Sequence, residues 1–296
     1  MINLNGRVAI VTGAGGGLGR AHALLLAQRG ARVVVNDLGG GAESVVNEIH
    51  GAGGTARIAL GSVTDAARMQ EIADETVKLW GRIDILVNNA GILRDKSFAR
   101  MALEDFRLVI DVHLMGAAHC SKAVWATMRE QNYGRIVMTT SSSGLYGNFG
   151  QSNYGAAKLA LVGLMQTLAL EGAKHNIRVN CVAPTAATQM LEGLLPAAQL
   201  ALLRPELVSP AVLALVSEEA PTRAILCAGA GSFELAHITL TSGVHIGGDP
   251  PSAETLLSRW SELADRRGES VPAQGAVQGQ HELHKAGFAA APTAVA

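Results

Sequence analysis

Aromatic residues, cysteines and excess charge are all scarce in this chain of 296 residues. Only 4% of the residues are aromatic, whereas 48% are hydrophobic, so Val, Leu, Ile and Ala must fill the core. That composition favours a parallel sheet covered by helices on both faces. A chain of this length can fold as one α/β domain, and we expect that domain over residues 1–247 and a carboxyl-terminal extension over residues 248–296. The extension is expected to form one helix followed by a tail that is flexible or lies on a partner subunit, because its end lacks apolar periodicity.

The scarcity of charge and cysteine excludes several classes of partner and site. The formal net charge at pH 7 is −1, which argues against a nucleic-acid or membrane-surface partner. Cys120, Cys181 and Cys227 are odd in number and scattered, so we expect buried free thiols, with neither disulfides nor a metal site. The chain starts without a charged leader and signal core, and no apolar run is expected to reach membrane-spanning length. We therefore expect a cytoplasmic protein.

A glycine-rich turn precedes the first predicted helix. The apolar run 7–11 predicts a strand, TGAGGGLG follows it at 12–19, and the pattern over 18–28 predicts a helix. Glycines at such a turn let the backbone approach a pyrophosphate closely, and the helix amino terminus attracts its negative charge. The residues expected to contact a dinucleotide at this turn are Gly13, Gly17, Leu18 and Gly19.

An acidic residue follows the second predicted strand, which covers residues 32–36. Asp37 lies eighteen residues beyond Gly19, where a carboxylate can accept hydrogen bonds from the adenosine ribose hydroxyls. A helix cap or a solvated turn residue is the structural alternative for this position.

Three side chains near the middle of the chain can handle protons. Tyr154 and Lys158 are four residues apart in a predicted helix (154–173), so both project from one face. An ammonium near a phenol favours the phenolate, so we expect the pKa of Tyr154 to be lowered and Tyr154 to act as a general acid and base. Ser141 follows the apolar run 135–138 and can stabilise an oxygen that gains charge.

These motifs in this order resemble the short-chain dehydrogenase/reductase superfamily over residues 5–240. Four segments resemble its (3R)-hydroxyacyl-CoA dehydrogenase branch, found in peroxisomal multifunctional enzyme type 2 and in stand-alone actinobacterial relatives. They are NDLGG at 36–40, NNAGILRD at 88–95, YGNFGQSNYGAAK at 146–158 and LLRPELVSP at 202–210. The resemblance implies a doubly wound Rossmann fold with a seven-stranded parallel sheet flanked by helices in a single domain.

The resemblance also implies further contacts with a nicotinamide cofactor, which we expect to be NAD. The implied positions are Leu38, Ser62, Val63, Asn89, Ala90, Gly91, Tyr154, Lys158, Pro184 and Thr188, and Lys158 would also hold the nicotinamide ribose. Many relatives carry an Asp where Ser62 and Val63 stand, so adenine contacts are expected to use backbone groups. The NNAG segment can be structural, or it can lie next to the chemistry. Thr185 replaces the Gly of the superfamily's PGxxxT, and the predicted substrate lid, residues 189–204, carries only one cation, Arg204.

His113 departs from the pattern of many superfamily members, which place there an Asn that holds a water in a proton relay. The multifunctional-enzyme branch resembles VHLxG, so His113 is either a relay residue or an ordinary histidine satisfied in the core or at the surface. The small residues at 116–118 lie in a region that belongs to a helical subunit interface in the superfamily. A homodimer or homotetramer is therefore expected.

The function implied is NAD-dependent interconversion of a secondary alcohol and a ketone, with a (3R)-hydroxyacyl-CoA and its 3-oxoacyl form as substrates. The alternatives within enzymes are a 3-oxoacyl carrier-protein reductase and a dehydrogenase of steroids or other secondary alcohols. A non-catalytic nicotinamide-binding scaffold is the alternative from another class. Such a scaffold has no need of Ser141, Tyr154 and Lys158 together.

Overall fold

The computed structural model describes residues 1–187, 196–248 and 250–288. The chain divides into two compact units, Met1–Ala236 and His237–Ala296. The division falls before Gly247, where the sequence predicts the main domain to end. The first unit contains the sheet described next.

One sheet of eight strands forms the centre of the first unit. Its strands are β1 (Val8–Thr12), β2 (Arg32–Asp37), β3 (Thr55–Leu60), β4 (Ile85–Asn88), β5 (Gly134–Thr139), β6 (Ile177–Thr185), β7 (Ile225–Gly229) and β8 (Ser232–Ala236). Their order is β3-β2-β1-β4-β5-β6-β7-β8, and all neighbours are parallel except β7 and β8. The order reverses between β1 and β4, and α/β sheets bind ligands at the carboxyl ends of strands beside such a reversal. The predicted doubly wound sheet with seven parallel strands is confirmed.

Helices pack on both faces of this sheet. In the first unit they are α1 (Gly17–Gln28), α2 (Gly41–Gly51), α3 (Ala66–Trp80), α4 (Leu103–Ile110), α5 (Gly116–Glu130), α6 (Ser142–Tyr146), α7 (Ser152–Gly172), α8 (Ala197–Leu202) and α9 (Ser209–Leu215). One core cluster joins the sheet to α1, α2 and α9, and the other joins it to α3, α5 and α7. Consecutive residues of a strand point to opposite faces. Val33 and Val35 therefore enter the first cluster, whereas Val34 enters the second.

The antiparallel strand β8 was not predicted. Its link to β7 is the pair Ala230 and Gly231, whose φ angles are +50° and +77°. Two positive φ angles are typical of the tight hairpin turns that join antiparallel strands. Ala is not a residue that signals such a turn, so the sequence showed only a glycine-punctuated extension.

The second unit contains helical structure beyond the single predicted helix. It has α10 (Ala253–Ser258), α11 (Trp260–Leu263) and α12 (Ala276–Lys285), and Leu240 pairs with Ser270 in an isolated antiparallel bridge. Helix α12, which lies within the expected tail, was not predicted. Its residues include Ala, Gln, Glu, Leu and Lys, which have high intrinsic helix propensity. None of its side chains is buried, so apolar periodicity gave no signal.

Two helical stretches, Ser152–His175 and Ala198–Leu215, are long and apolar enough to span a membrane by length and composition. The expectation that no run reaches that length is wrong. Core helices of soluble proteins meet the same criteria. In Ser152–His175, the side chains of Leu161 and Met165 are buried in the core cluster shared with α3 and α5.

The three cysteines are free thiols, of which Cys120 and Cys181 are buried and Cys227 is half-buried. Burial raises the pKa of Cys120 to about 12 and raises the pKa of Cys181 still further. Both thiols are therefore protonated at neutral pH, and a protonated thiol is a poor nucleophile.

Candidate active site

The glycine turn between β1 and α1 is shaped by close approaches that a side chain would prevent. Gly13 has a φ angle of +60°, and a Cβ atom there would lie 2.8 Å from Ala90 Cα. A Cβ atom on Gly19 would collide with the carbonyl oxygen of Gly13 and the side chain of Asn89. Gly16, which precedes α1, has no neighbouring heavy atom within 4 Å of its Cβ position and provides no side-chain cap. The uncapped amino terminus of α1 therefore faces open space and fits the pyrophosphate of a dinucleotide.

Asp37 lies at the end of β2, directly beside this turn. Its Oδ2 accepts a hydrogen bond from the Gly15 amide at 2.8 Å, and its Oδ1 accepts one from the Leu38 amide at 2.7 Å. The two amides fix the orientation of the carboxylate. Each carboxylate oxygen can accept more than one hydrogen bond, so ribose hydroxyls remain possible donors.

The NNAG segment after β4 is tied to the end of β1. The Asn89 side chain donates hydrogen bonds to the carbonyls of Thr12 and Gly13 at 3.0 and 3.1 Å. The Thr12 hydroxyl accepts hydrogen bonds from the amides of Asn89 and Ala90 at 3.0 and 3.1 Å. Gly91 is required because a Cβ atom there would collide with the His113 ring. These contacts favour the structural interpretation of the segment and add Thr12, which was not predicted as a site residue.

The other predicted cofactor positions lie at the carboxyl edge of the sheet or just beyond it. Val63 is buried, whereas the Leu38 side chain is 74% exposed. Ser62 hydrogen-bonds with Thr64 through their hydroxyls at 2.7 Å, and Pro184 lies within β6. Thr188 lies outside the described residues, as does the part of the predicted lid before residue 196.

Lys158 lies in the second turn of α7 and is almost completely buried, with 3% exposure. Its Nζ donates a hydrogen bond to the carbonyl oxygen of Thr139 at 2.5 Å and lies 5.4 Å from the centre of the Tyr154 ring. Burial disfavours the charged ammonium and lowers its pKa from 10.5 to about 7. Lys158 can therefore exchange a proton close to neutral pH.

The pKa of Tyr154 is raised, not lowered as the sequence analysis predicted. Burial is the largest cause, a hydrogen bond with Ser141 opposes it, and the negative charge of Asp95 adds to the increase. The prediction failed because it counted the nearby ammonium but not the removal of the phenol from water. Ser141 is itself held as the residue preceding α6, where its Oγ accepts a hydrogen bond from the Ser143 amide at 3.2 Å.

His113 lies in a π-helical turn, Asp111–Met115, that separates α4 from α5. Its ring packs edge-on against the Tyr154 ring, with centroids 5.2 Å apart and planes at 88°. The Nε2 atom lies 2.8 Å from the Ile92 carbonyl oxygen and 3.1 Å from the Ile92 nitrogen. The Nδ1 atom is buried without a hydrogen-bond partner among the described residues, as is Asn88 Oδ1. Asn88, His113 and Lys158 all border one cavity of about 10 Å³, enough for roughly one water molecule.

Acid is expected to destabilise the cofactor-free protein, because two buried histidines resist protonation. Burial lowers the pKa of His113 and of His22, which hydrogen-bonds with Ser209, from 6.5 to about 3. Below pH 6.5 the unfolded chain binds protons that the folded chain does not. The free energy of unfolding should therefore fall as the pH drops towards 3, by about 1.4 kcal/mol per pH unit for each histidine.

Urea unfolding at a series of pH values tests this expectation. His113→Asn removes one of the two titrating rings, so its stability should decline less steeply with acid than that of the wild type. The expected difference in slope is about 1.4 kcal/mol per pH unit. Parallel declines would show that His113 is protonated in the folded protein.

Asp95, Gln151 and Asn153 join the loop after β4 to the start of α7, and none of them was predicted as a site residue. The side chain of Asn153 is buried, donates to the Arg94 carbonyl at 3.0 Å and accepts from the Tyr154 amide at 2.7 Å. Gln151 donates to Asp95 Oδ2 at 2.6 Å. These bonds hold the backbone that leads into Tyr154. The only sequence signal was the position of Gln151 and Asn153 just before the tyrosine.

Comparison with protein families identifies one match, a short chain dehydrogenase model over residues 7–198. Peroxisomal multifunctional enzyme type 2 of Drosophila melanogaster is 46% identical over 278 residues, which cover 89% of this chain and 46% of that protein. A short-chain type dehydrogenase/reductase of Mycobacterium tuberculosis is 45% identical, with 92% of this chain and 98% of that protein covered. A 3-oxoacyl-[acyl-carrier-protein] reductase of Synechocystis is 45% identical over 197 residues, covering 66% of this chain and 80% of that protein.

Solved structures of dehydrogenases also match this chain. Full-length peroxisomal multifunctional enzyme type 2 of Drosophila melanogaster matches with a TM-score of 0.81 and 39% identity, over 96% of this chain and 50% of that one. A 7α-hydroxysteroid dehydrogenase complexed with NADH and 7-oxo glycochenodeoxycholic acid matches with a TM-score of 0.72 and 32% identity, over 78% and 95% of the two chains. This chain thus spans about half the length of the multifunctional relative.

Proposed function

This chain belongs to the short-chain dehydrogenase family, and we propose that it is an NAD-dependent enzyme interconverting (3R)-hydroxyacyl-CoA and 3-oxoacyl-CoA. Members of the family are oxidoreductases that bind a nicotinamide cofactor. The proposal rests on one observation: Tyr154 is half-buried, the Ser141 hydroxyl is close enough to lower its pKa, and the buried Lys158 Nζ lies 5.4 Å from its ring centre. That arrangement places a transferable proton, an oxygen-stabilising hydroxyl and a titratable amine at the carboxyl edge of the sheet.

Tyr154, Ser141 and Lys158 have separate roles in the transfer of the proton. The bound nicotinamide supplies the hydride acceptor in the oxidative direction. Tyr154 accepts the proton of the substrate hydroxyl, Ser141 donates a hydrogen bond to the same oxygen, and Lys158 exchanges a proton close by. The raised pKa of Tyr154 keeps the phenol protonated at neutral pH. Ketone reduction should therefore be favoured at neutral pH, and the rate of alcohol oxidation should rise with pH.

A 3-hydroxyacyl thioester is supported as the substrate by the sequence segments shared with the multifunctional enzyme and by the relatives' names. A relative named as multifunctional enzyme type 2 is matched over 89% of this chain. A second candidate, reduction of a 3-oxoacyl carrier-protein thioester, is favoured by the Synechocystis relative. Both candidates use the same proton chemistry and differ in the group that carries the thioester.

A substrate panel tests the proposal. Acyl groups of several chain lengths are presented as CoA esters and as carrier-protein esters, alongside a hydroxysteroid, and NADH formation or consumption is measured. We expect the highest kcat/KM with a CoA ester and NAD or NADH. A higher value with the carrier-protein ester and NADPH would favour the second candidate, and turnover of the steroid alone would contradict both.

Cytoplasmic location and a homodimer or homotetramer stay predictions. The small residues that suggested a subunit interface have a role within the chain. A Cβ atom on Gly116 would lie 2.6 Å from the Val63 side chain, and Ala117 is buried in the core. The stretch 116–118 therefore gives weaker support for an interface than the sequence analysis expected.

A further inference from the structure

A short segment leads from the reacting residues to the protein surface. At its inner end, the backbone of Ile92 contacts His113, and Ile92 is half-buried. Farther along, the Lys96 amide donates a hydrogen bond to the Gly150 carbonyl at 2.9 Å, four residues before Tyr154. From Arg94 onwards most residues are exposed. The segment thus contacts His113, which packs on Tyr154, at one end and is exposed to solvent at the other.

Residues 94–100, named here the basic segment, have the sequence RDKSFAR and carry three cations against one carboxylate. The carboxylate of Asp95 is engaged by Gln151, and the Arg94 guanidinium lies 3.8 Å from Asp105. The exposed side chains of Lys96 and Arg100 form no ion pair with any residue that the structure describes. These two cations are therefore available to an anionic ligand.

An exposed aromatic ring lies between the two available cations in the chain. Phe98 begins a 3₁₀ turn, Phe98–Arg100, and is 71% exposed. The exposed ring is accessible to a ligand that can stack on it. Aromatic faces stack on nucleobases, and Lys and Arg bind phosphates. Ring and cations together match an adenine nucleotide.

We infer that the basic segment binds the phosphorylated adenosine end of a CoA thioester. The inference rests on the proposed function, because it assigns a place to the carrier of the proposed substrate. In CoA a long pantetheine arm separates the thioester from the phosphates, so the anionic end must be bound away from Tyr154, at the rim of the cleft. The basic segment begins two residues after Ile92, which contacts His113 beside Tyr154, and leads away to solvent. In the described part of the predicted lid, Arg204 is the one cation.

The test compares carriers that share one acyl group. Lys96→Ala/Arg100→Ala and the wild type are assayed with the 3-hydroxyacyl esters of CoA, 3′-dephospho-CoA and N-acetylcysteamine. We expect the double variant to raise KM for the CoA ester about tenfold, with kcat and the N-acetylcysteamine ester unaffected. The effect should shrink at high ionic strength, because the contacts are exposed to solvent. Phe98→Ala should raise KM for both nucleotide-bearing esters alike.

Lys174→Ala is the matched control, since it removes an exposed cation at the opposite edge of the sheet, just before β6. It should leave every KM unchanged. An unchanged KM for the CoA ester in the double variant, or an equal rise with the N-acetylcysteamine ester, would overturn the inference. Calorimetric binding of free CoA to each variant separates the two proposals. Wild type that binds CoA more tightly than the double variant but turns over no thioester would contradict the proposed function alone.

Discussion

Tyr154→Phe is expected to lose nearly all turnover in both directions while the folded protein still binds NADH. The substitution keeps the ring that packs against His113 and removes only the hydroxyl that transfers the proton. General acid–base catalysis by a positioned side chain is typically worth about 10²- to 10⁴-fold, so kcat/KM should fall by that factor. The assay is kcat/KM with the best thioester, and NADH binding is followed by fluorescence titration.

Tyr146→Phe is the matched control for this experiment. Tyr146 is 72% exposed and lies in the same stretch, so its hydroxyl can be removed without changing the buried site. We expect activity close to that of the wild type. Residual activity of Tyr154→Phe within about tenfold of the wild type would show that another group transfers the proton.

The second large effect is expected at Asp37, which should give the enzyme its preference for NAD over NADP. A 2′-phosphate on the adenosine ribose would place like charges beside each other at this carboxylate. Relatives that use NADP commonly have basic residues where this chain has Gly16 and Leu38. Arg20, the other nearby candidate for a compensating charge, forms an ion pair with Glu48 at 2.5 Å.

The measurement is the ratio of kcat/KM with NAD to kcat/KM with NADP, in the wild type and in Asp37→Ala. One repulsion of about 1.4 to 2.8 kcal/mol corresponds to roughly ten- to hundredfold discrimination, and the variant should lose most of it. Glu48→Gln, which frees Arg20 and leaves Asp37 in place, measures separately how far that cation can offset the repulsion. The assignment of Asp37 would fail if the wild type used NADP equally well, or if the ratio in Asp37→Ala matched that of the wild type.

Local patterns predicted the parts of the site that depend on neighbours in sequence. The glycine turn was predictable because a strand, three spaced glycines and a helix succeed one another within one short stretch. Asp37 could be placed because it ends the next strand. Tyr154 and Lys158 could be placed on one helix face because four residues make about one helical turn.

The remaining features depend on contacts between distant segments or on backbone geometry without a clear residue signal. The direction of the Tyr154 pKa shift depends on how much of the phenol the folded chain removes from water, so sequence reasoning predicted the wrong direction. The π turn at His113 continues an ordinary helical pattern, and nothing in DVHLM marks it. The bonds of Asn153 and Gln151 to the loop after β4 join segments more than fifty residues apart. No spacing rule predicts such bonds.

The most direct measurement for the whole account is NADH formation from the two separated enantiomers of one 3-hydroxyacyl-CoA ester. The proposed function predicts that the wild type oxidises the (3R) ester with NAD, at a rate that rises with pH, and leaves the (3S) ester almost untouched. Tyr154→Phe should oxidise neither. Preferential oxidation of the (3S) ester, or no oxidation of either enantiomer by a wild type that binds NADH, would contradict the account.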